Sequence, residues 1–196
     1  MSKLKYAALS AAVLLLTCEV RAQTVTPVDP SKTTYGERNP GAPKELAVFS
    51  FLVGKWQGSG KARLPDGNVV EFGGVSWIGR YILDGMAIAD EGHAAGPDGS
   101  PYLGITFRQY DPGRKAWIVE FLNVTGSFLR KQVNVRSGSV KVNGQTVTVA
   151  SEGPTQSREH YQVVDQDHWV YRMDLSTDGG RSWDEGQIEM TFRRVE

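Results

Sequence analysis

The chain has 196 residues, with 22 Gly, 7 Phe, 7 Tyr and 5 Trp, and a formal net charge of +0. This length suits one domain with a sizeable core, and the balanced charge argues against a nucleic-acid binder, which would carry a basic face. Many glycines together with many aromatic residues are typical of an all-β protein with frequent turns.

Residues 1–22 are predicted to be a signal peptide. A positively charged start is followed by an apolar stretch at 7–17 that is too short to span a bilayer, and Val20-Arg21-Ala22 matches a cleavage site. The alternatives are a buried first helix and a lipoprotein signal at Cys18, although the residue before that cysteine fits such a signal poorly. We therefore expect a periplasmic or secreted protein, with no transmembrane segment in the mature chain.

Cleavage after Ala22 would remove three basic residues, one acidic residue and Cys18, which is the only cysteine of the chain. The mature chain would then carry a net charge of −2. It would also have no disulfide, thiol nucleophile or cysteine metal ligand. A chain without cysteine is well suited to an oxidising compartment.

Residues 23–42 contain prolines and glycines and little periodic apolar pattern, so they predict a flexible arm on the surface. The alternative is a segment that covers one end of the domain at 43–196. That domain begins with a short predicted helix, in which Leu46, Phe49 and Val53 recur on one face. We expect this helix to plug one end of the domain.

About ten short strands are predicted after the helix, from Trp56 to Val195. Gly73-Gly74 interrupts the second strand and predicts a bulge or a corner. Asn143-Gly144 predicts a type I′ hairpin. The regular spacing is typical of a barrel or a sandwich, and the lack of a second long helix excludes doubly wound folds.

A Gly-x-Trp on the first strand and a lone arginine on the last strand resemble the lipocalin-like (calycin) barrels. Gly54 and Trp56 match the first feature, and Arg194, which shares strand parity with Phe192, matches the second. The resemblance implies an antiparallel up-and-down β-barrel whose arginine packs across the indole and closes one end. Gly54, Trp56 and Arg194 are therefore interpreted as a structural closure.

Over about residues 44–196 the chain is also similar to a bacterial lipocalin-like family of unknown function. The segments that carry this similarity are Phe51–Gly58, Ile82–Ile88, Tyr110-Asp111-Pro112 with Trp117, and Ser176–Trp183. The resemblance implies a fold and no activity.

The Ser176–Trp183 motif and the three histidines favour structure over chemistry. Ser176–Trp183 fits the Asp-box that sialidase propellers repeat in every blade, but here it occurs once and predicts a stable hairpin. His93, His160 and His168 lack metal-ligand spacing, so no metal is expected. The related nitrobindins hold haem through a histidine, and no histidine here lies convincingly on an apolar inward face, so no cofactor is expected.

Asp90 is the weak candidate for a catalytic residue. If its strand face points inward, Asp90 is a semi-buried carboxylate and a plausible general base. The favoured interpretation is an acid at a strand end that meets solvent.

The aromatic residues on inward strand faces predict either a filled core or a pocket for a small apolar or planar ligand. Trp117 shares a face with Phe121, and Trp169 shares a face with Tyr171. The predicted ligand-binding residues are Trp77, Met86, Tyr102, Trp117, Phe121, Trp169 and Tyr171.

Three functional hypotheses follow. The first is a secreted protein that binds a small hydrophobic ligand inside the barrel. The second is an enzyme of the same barrel type, such as an isomerase, cyclase or decarboxylase, that uses Asp90 or a tyrosine. The third is a cell-envelope protein with a filled barrel that works through its surface. An open apolar pocket favours the first, an isolated carboxylate in an open pocket favours the second, and a solid interior favours the third.

Overall fold

The computed structural model of the chain describes residues 35–95, 101–125, 128–129, 134–136 and 139–195. The predicted signal peptide, Cys18, the arm before Tyr35 and most of the loop at 94–101 lie outside these residues. Within the described ranges, no helix has the length and hydropathy needed to cross a membrane.

The described residues form one sheet of twelve antiparallel strands, ten of which have five residues or more, so the predicted all-β fold of about ten strands is confirmed. The longer strands are β1 (Gly54–Arg63), β2 (Val69–Ile82), β3 (Ala87–Ala95), β4 (Pro101–Asp111), β5 (Ala116–Thr125), β8 (Ser139–Asn143), β9 (Thr146–Ala150), β10 (Gln156–Asp165), β11 (His168–Ser176) and β12 (Asp184–Arg194). The two short strands are β6 (Phe128–Leu129) and β7 (Asn134–Arg136).

The sheet closes into a nearly complete up-and-down barrel. Neighbouring strands follow one another along the chain from β1 to β6 and from β8 to β12, β7 also pairs with β5, and β12 pairs with β1. On the other side, Cα atoms of β5 and β8 come within 8 Å of each other. The up-and-down barrel prediction is therefore confirmed.

Two predicted irregularities are present, one of them in a different form. Opposite Gly58 and Gly60, β2 carries an extra residue at Gly73-Gly74, which confirms the predicted bulge. The β8–β9 hairpin also forms, but Asn143 pairs with Thr146 and Gly144 takes the first central position of the turn with φ 57°. Glycine at that position is typical of a type II′ turn, so the predicted type I′ turn is wrong.

The predicted plug is a 3₁₀-helix, Lys44–Leu52. Its period of three residues per turn aligns Leu46, Phe49 and Leu52, all fully buried, whereas the predicted third member, Val53, is half-buried. The Phe49 ring lies 5.0 Å from that of Trp117 on β5. We call this end of the barrel the plugged end.

The described part of the predicted arm also lies at the plugged end. The Asn39 backbone N–H donates to the Gly85 carbonyl over 3.2 Å, and the Asn39 side chain donates to the Asp84 carboxylate over 3.1 Å. Gly85 has φ 73°, and a Cβ there would collide with the backbone of Glu37 and Asn39. These contacts attach residues 35–42 to the β2–β3 turn.

Inward residues of β1, β12, β11 and β10 stand opposite one another in rows across the barrel, and burial decreases from the plugged end to the opposite, far end. Trp169 and Phe192 in the second row are almost completely buried, whereas every member of the fourth row is partly exposed. The rows are Trp56 and Arg194; Gly58, Phe192, Trp169 and Val163; Gly60, Met190, Tyr171 and Tyr161; and Ala62, Ile188, Met173 and Glu159.

Candidate functional site

Gly54, Trp56 and Arg194 meet at the plugged end. The Arg194 guanidinium lies 4.1 Å from the centroid of the Trp56 ring, and it donates to the carbonyls of Val53 over 3.0 Å and Gln166 over 3.1 Å. A Cβ on Gly54 would collide with that guanidinium. The arginine therefore ties β1, β12 and the β10–β11 turn together, because it satisfies backbone carbonyls from separate elements.

Large neighbouring side chains fill the space beside the inward glycines. A Cβ on Gly58 would lie 2.7 Å from the Phe192 ring, and one on Gly104 would lie 2.6 Å from the Phe121 ring. Both distances are shorter than van der Waals contact. In this part of the barrel the glycines therefore provide room for aromatic rings, as in a filled core.

Asp90 forms a buried ion pair. Asp90 on β3 is 1% exposed, and its Oδ2 accepts from Nη1 of Arg108 on β4, which is 0% exposed. The favoured interpretation of a solvent-facing acid is therefore wrong. A general base must take up a proton, and a proton on Asp90 would leave the charge of Arg108 buried without compensation, which is strongly unfavourable.

A hydrogen-bonded chain continues from this pair across the barrel. Arg108 Nη2 donates to the Tyr161 hydroxyl over 3.1 Å, and that hydroxyl donates to Glu159 Oε2 over 2.8 Å. Burial raises the pKa of Tyr161, Glu159 raises it further, and Arg108 opposes this rise. The four groups therefore run from beneath the plug to the partly exposed fourth row.

Arg108, Tyr161 and Glu159 were not predicted as site residues. The face of β4 opposite to Arg108 carries Leu103, Ile105 and Phe107, so hydrophobicity alone would predict that this opposite face points inward. The missed signal is hairpin pairing: Arg108 stands opposite Val119, which has the same parity as Trp117. If Trp117 points into the barrel, Val119 does too, and Arg108, which is paired with Val119, must also point inward.

Six buried side-chain polar atoms lack a hydrogen-bond partner among the described residues. Four of them belong to side chains that point into the barrel, namely Asp90 Oδ1, Arg108 Nε, Trp77 Nε1 and Trp169 Nε1, and the other two are Arg38 Nε and Arg158 Nε. Most buried polar groups in folded proteins are hydrogen-bonded, so such atoms indicate either ordered water or a bound molecule.

Three of the predicted ligand-binding residues lie together in the barrel. The rings of Trp77 and Trp169 are 5.3 Å apart, and Tyr171 and Trp169 both contact the Tyr161 ring, at 5.3 Å and 6.1 Å. These side chains lie between the plugged end and the fourth row. Their role in binding stays a prediction.

The other four predicted ligand-binding residues are dispersed. Trp117 packs on Phe49, and Met86 lies in the β2–β3 turn, both at the plugged end. Phe121 points inward from β5 beside Gly104, and Tyr102 is 38% exposed near the far end.

All three histidines point outward. His160 is hydrogen-bonded to Asp174 over 2.9 Å and to Thr148 over 3.1 Å. His93 and His168 alternate with the inward residues of β3 and β11. A histidine-ligated haem inside the barrel therefore does not fit this chain. Across the part of the chain that the structure describes, no three His, Cys, Asp or Glu residues could hold a metal ion.

The Ser176–Trp183 segment is the predicted hairpin. Asp178 accepts hydrogen bonds from the Ser182 backbone over 2.9 Å, from the Ser182 hydroxyl over 2.7 Å and from the Ser176 hydroxyl over 2.8 Å. These bonds lower the pKa of Asp178 to about 2. The Trp183 indole N–H donates to the Gly180 carbonyl over 3.1 Å.

A separate groove of about 590 Å³ lies on β1, β2, β11 and β12. Outward side chains form most of its lining, including Ser59, Lys61, Val170 and Thr191. Lys61 makes an ion pair with Glu189 across it. The groove is open and belongs to the outer surface, apart from the buried polar chain.

Comparison with known proteins gives a family and a fold. The family model described as "Protein of unknown function (DUF1579)" matches residues 42–194. The chain is similar to the crystal structure of Rv2717c from M. tuberculosis, with a TM-score of 0.54 and 15% identity over 79% of this chain and 99% of that chain. It is also similar to a redesigned β-barrel, mFAP0, bound to DFHBI, with a TM-score of 0.38 and 10% identity over 74% and 99% of the two chains. Curated proteins gave no match.

Proposed function

The chain belongs to the DUF1579 family of proteins of unknown function, and we propose that it binds a small, largely apolar ligand in the far half of its barrel. The observation that carries this proposal is the fourth row. Ala62, Ile188, Met173 and Glu159 point inward, yet each is partly exposed. Solvent that reaches inward apolar side chains marks a place where a ligand would release water.

The residues next to the fourth row support the same ligand class. Tyr171, Trp169 and Trp77 stand deeper in the barrel and offer aromatic surface to a molecule that enters from the far end. Aromatic side chains combine a large apolar area with defined ring geometry. A planar, mostly apolar molecule fits such a lining better than a flexible polar one.

The alternatives fit the interior less well. The enzyme hypothesis needs an acid or base that can exchange a proton, whereas a proton on Asp90 would leave the buried charge of Arg108 unpaired, and burial raises the pKa of Tyr161. The filled-barrel hypothesis describes the plugged half but leaves the exposure of the fourth row without a reason.

Binding of the neutral dye N-phenyl-1-naphthylamine tests this proposal. We expect its fluorescence to rise in the presence of the protein and the rise to be lost in Ile188→Trp, whose larger side chain would fill the far half. Arg193→Trp is the matched control, because Arg193 lies on the same strand, alternates with the inward Phe192 and Arg194, and is exposed. Equal dye binding by both variants would contradict the proposal. So would the absence of dye binding by the unmodified protein together with no retained ligand in native mass spectrometry.

We also propose, on sequence grounds, that the protein is lipocalin-like, exported and cleaved after Ala22, and therefore periplasmic or secreted. The intact mass of protein isolated from its native host tests the export. A chain that starts at Gln23 would support it. A retained leader, or a lipid-modified Cys18 at the N-terminus, would overturn the cleavage site.

A further inference from the structure

We infer that the polar part of the ligand is an uncharged group that both donates and accepts hydrogen bonds, such as a hydroxyl or an amide. This inference rests on the proposed function and names the chemistry that the same site would recognise. Its basis is the set of unpartnered buried atoms on Trp77, Trp169, Arg108 and Asp90.

These four side chains are linked to one another through contacts on the inner face of the barrel. The Trp77 ring lies 5.3 Å from that of Trp169, and the Trp169 ring lies 6.1 Å from that of Tyr161. Tyr161 is bonded to Arg108, and Arg108 is paired with Asp90. Asp90 is in turn a diagonal neighbour of Trp77 on the inner face of β2 and β3, within reach of a long side chain. The four side chains therefore belong to one connected group on the inner face.

The unpartnered atoms define what this group of side chains can bind. The indole N–H groups of Trp77 and Trp169 and the Nε–H of Arg108 can only donate, whereas Oδ1 of Asp90, as a carboxylate oxygen, accepts. A group that satisfies both kinds of atom needs lone pairs and a proton of its own. A hydroxyl or an amide has both, and an ether or a hydrocarbon does not.

The charge of the site excludes ionised groups. Asp90 and Arg108 compensate each other, and both are at least 99% buried. A carboxylate or an ammonium placed beside them would add a buried charge with no counter-charge, which is strongly unfavourable. An uncharged group adds hydrogen bonds without that cost.

Four probes with one ring system test this inference: naphthalene, 2-naphthol, 2-naphthoate and protonated 2-(aminomethyl)naphthalene, titrated into the purified protein at pH 7 by calorimetry. We expect 2-naphthol to bind about tenfold more tightly than the other three, because it alone is uncharged and makes both kinds of hydrogen bond.

Variants then locate the hydrogen bonds. Trp169→Phe and Trp77→Phe remove an indole N–H and shorten the aromatic surface, so each should weaken the binding of both probes but weaken 2-naphthol binding about three- to tenfold more than naphthalene binding. Trp183→Phe is the matched control, since its indole N–H is bonded within the outer hairpin, and it should change neither affinity.

The outcomes separate the two proposals. If none of the probes binds, the proposed function itself fails. If naphthalene binds as tightly as 2-naphthol, ordered water satisfies the four atoms, and the inference fails while ligand binding stands. If 2-naphthoate or the ammonium probe binds most tightly, the site takes a charged ligand and the inference is overturned.

Discussion

The plugged end and the far end of this barrel are built on the same strands but differ in how their inward side chains are covered. Near the plug, Phe49, Trp169 and Phe192 are packed against other rings and almost fully buried. Two rows beyond Trp169, Met173 and Ile188 point the same way and are partly exposed.

This difference indicates that the plugged end serves mainly stability and the far end mainly the proposed ligand binding. Burial of apolar side chains supplies most of the stability of a small domain, so the plugged end should carry the larger share. Partly exposed side chains contribute less to folding but can still gain from burial by a ligand. Substitutions at the two ends should therefore affect different measurements.

The largest expected effect is at the buried ion pair. Arg108→Met leaves the Asp90 carboxylate buried without its partner, so the free energy of unfolding should fall by about 3–5 kcal/mol. Urea denaturation followed by tryptophan fluorescence measures this change.

Its control removes both charges. The double variant Asp90→Val with Arg108→Met should be much more stable than Arg108→Met alone, because replacement of a buried ion pair by apolar side chains is often neutral. A double variant as unstable as the single one would mean that packing around Arg108, and not the orphaned charge, causes the loss.

A matched aliphatic pair compares the two ends directly. Leu46→Ala in the plug should reduce the free energy of unfolding by about 2–5 kcal/mol, because Leu46 is completely buried. Ile188→Ala in the fourth row removes the same number of carbon atoms but should cost only about 1 kcal/mol, because Ile188 is partly exposed. The order should be reversed for dye affinity, which should fall clearly in Ile188→Ala and stay unchanged in Leu46→Ala. Equal destabilisation by the two variants would contradict the larger contribution of the plugged end to stability.

A smaller effect is expected at the closure. Arg194→Met keeps the aliphatic stem but loses the cation over Trp56 and the bonds to the carbonyls of Val53 and Gln166. We expect a loss of about 1–2 kcal/mol in the free energy of unfolding. Dye affinity should be unchanged, because the closure lies at the plugged end, and a tenfold weaker affinity would show that the closure also shapes the site.

The smallest effect should appear only in acid. The pKa of Asp178 is lowered in the folded protein, so its ionised form stabilises the hairpin above the unfolded pKa of about 4, and this contribution is lost as the pH falls to about 2. Asp178→Asn should therefore show a smaller loss of stability between pH 5 and pH 2.5 than the unmodified protein. Equal slopes for Asp178→Asn and the unmodified protein would refute the prediction.

Strands and turns could be predicted because their signals are local. Gly73-Gly74 marked the bulge in β2, and alternation along β12 placed Phe192 and Arg194 on one face. The plug was located correctly, but the expected helical spacing pointed to Val53 where the 3₁₀ period buries Leu52. A difference of 0.6 residues per turn is enough to exchange two adjacent side chains.

The buried polar chain could not be predicted from one strand at a time. The face of β4 that carries Arg108 is less apolar than the opposite one, and the partners of Arg108 lie on β3 and β10. Asp90 was considered as an inward acid, but its arginine partner emerges only from pairing between strands. Where charges compensate inside a barrel, the tertiary partner overrides the local pattern.

The seam between β1 and β12 has a consequence for folding kinetics. The other long strands pair with neighbours in the chain, whereas this seam joins Trp56 to Arg194 across almost the whole domain. Closing so long a loop carries an entropic cost that is repaid only when the two strands meet, so the seam should form late. Contacts formed after the transition state affect the unfolding rate more than the folding rate. Arg194 should therefore slow unfolding more than it speeds folding. In stopped-flow experiments Arg194→Met should unfold faster and fold at nearly the original rate.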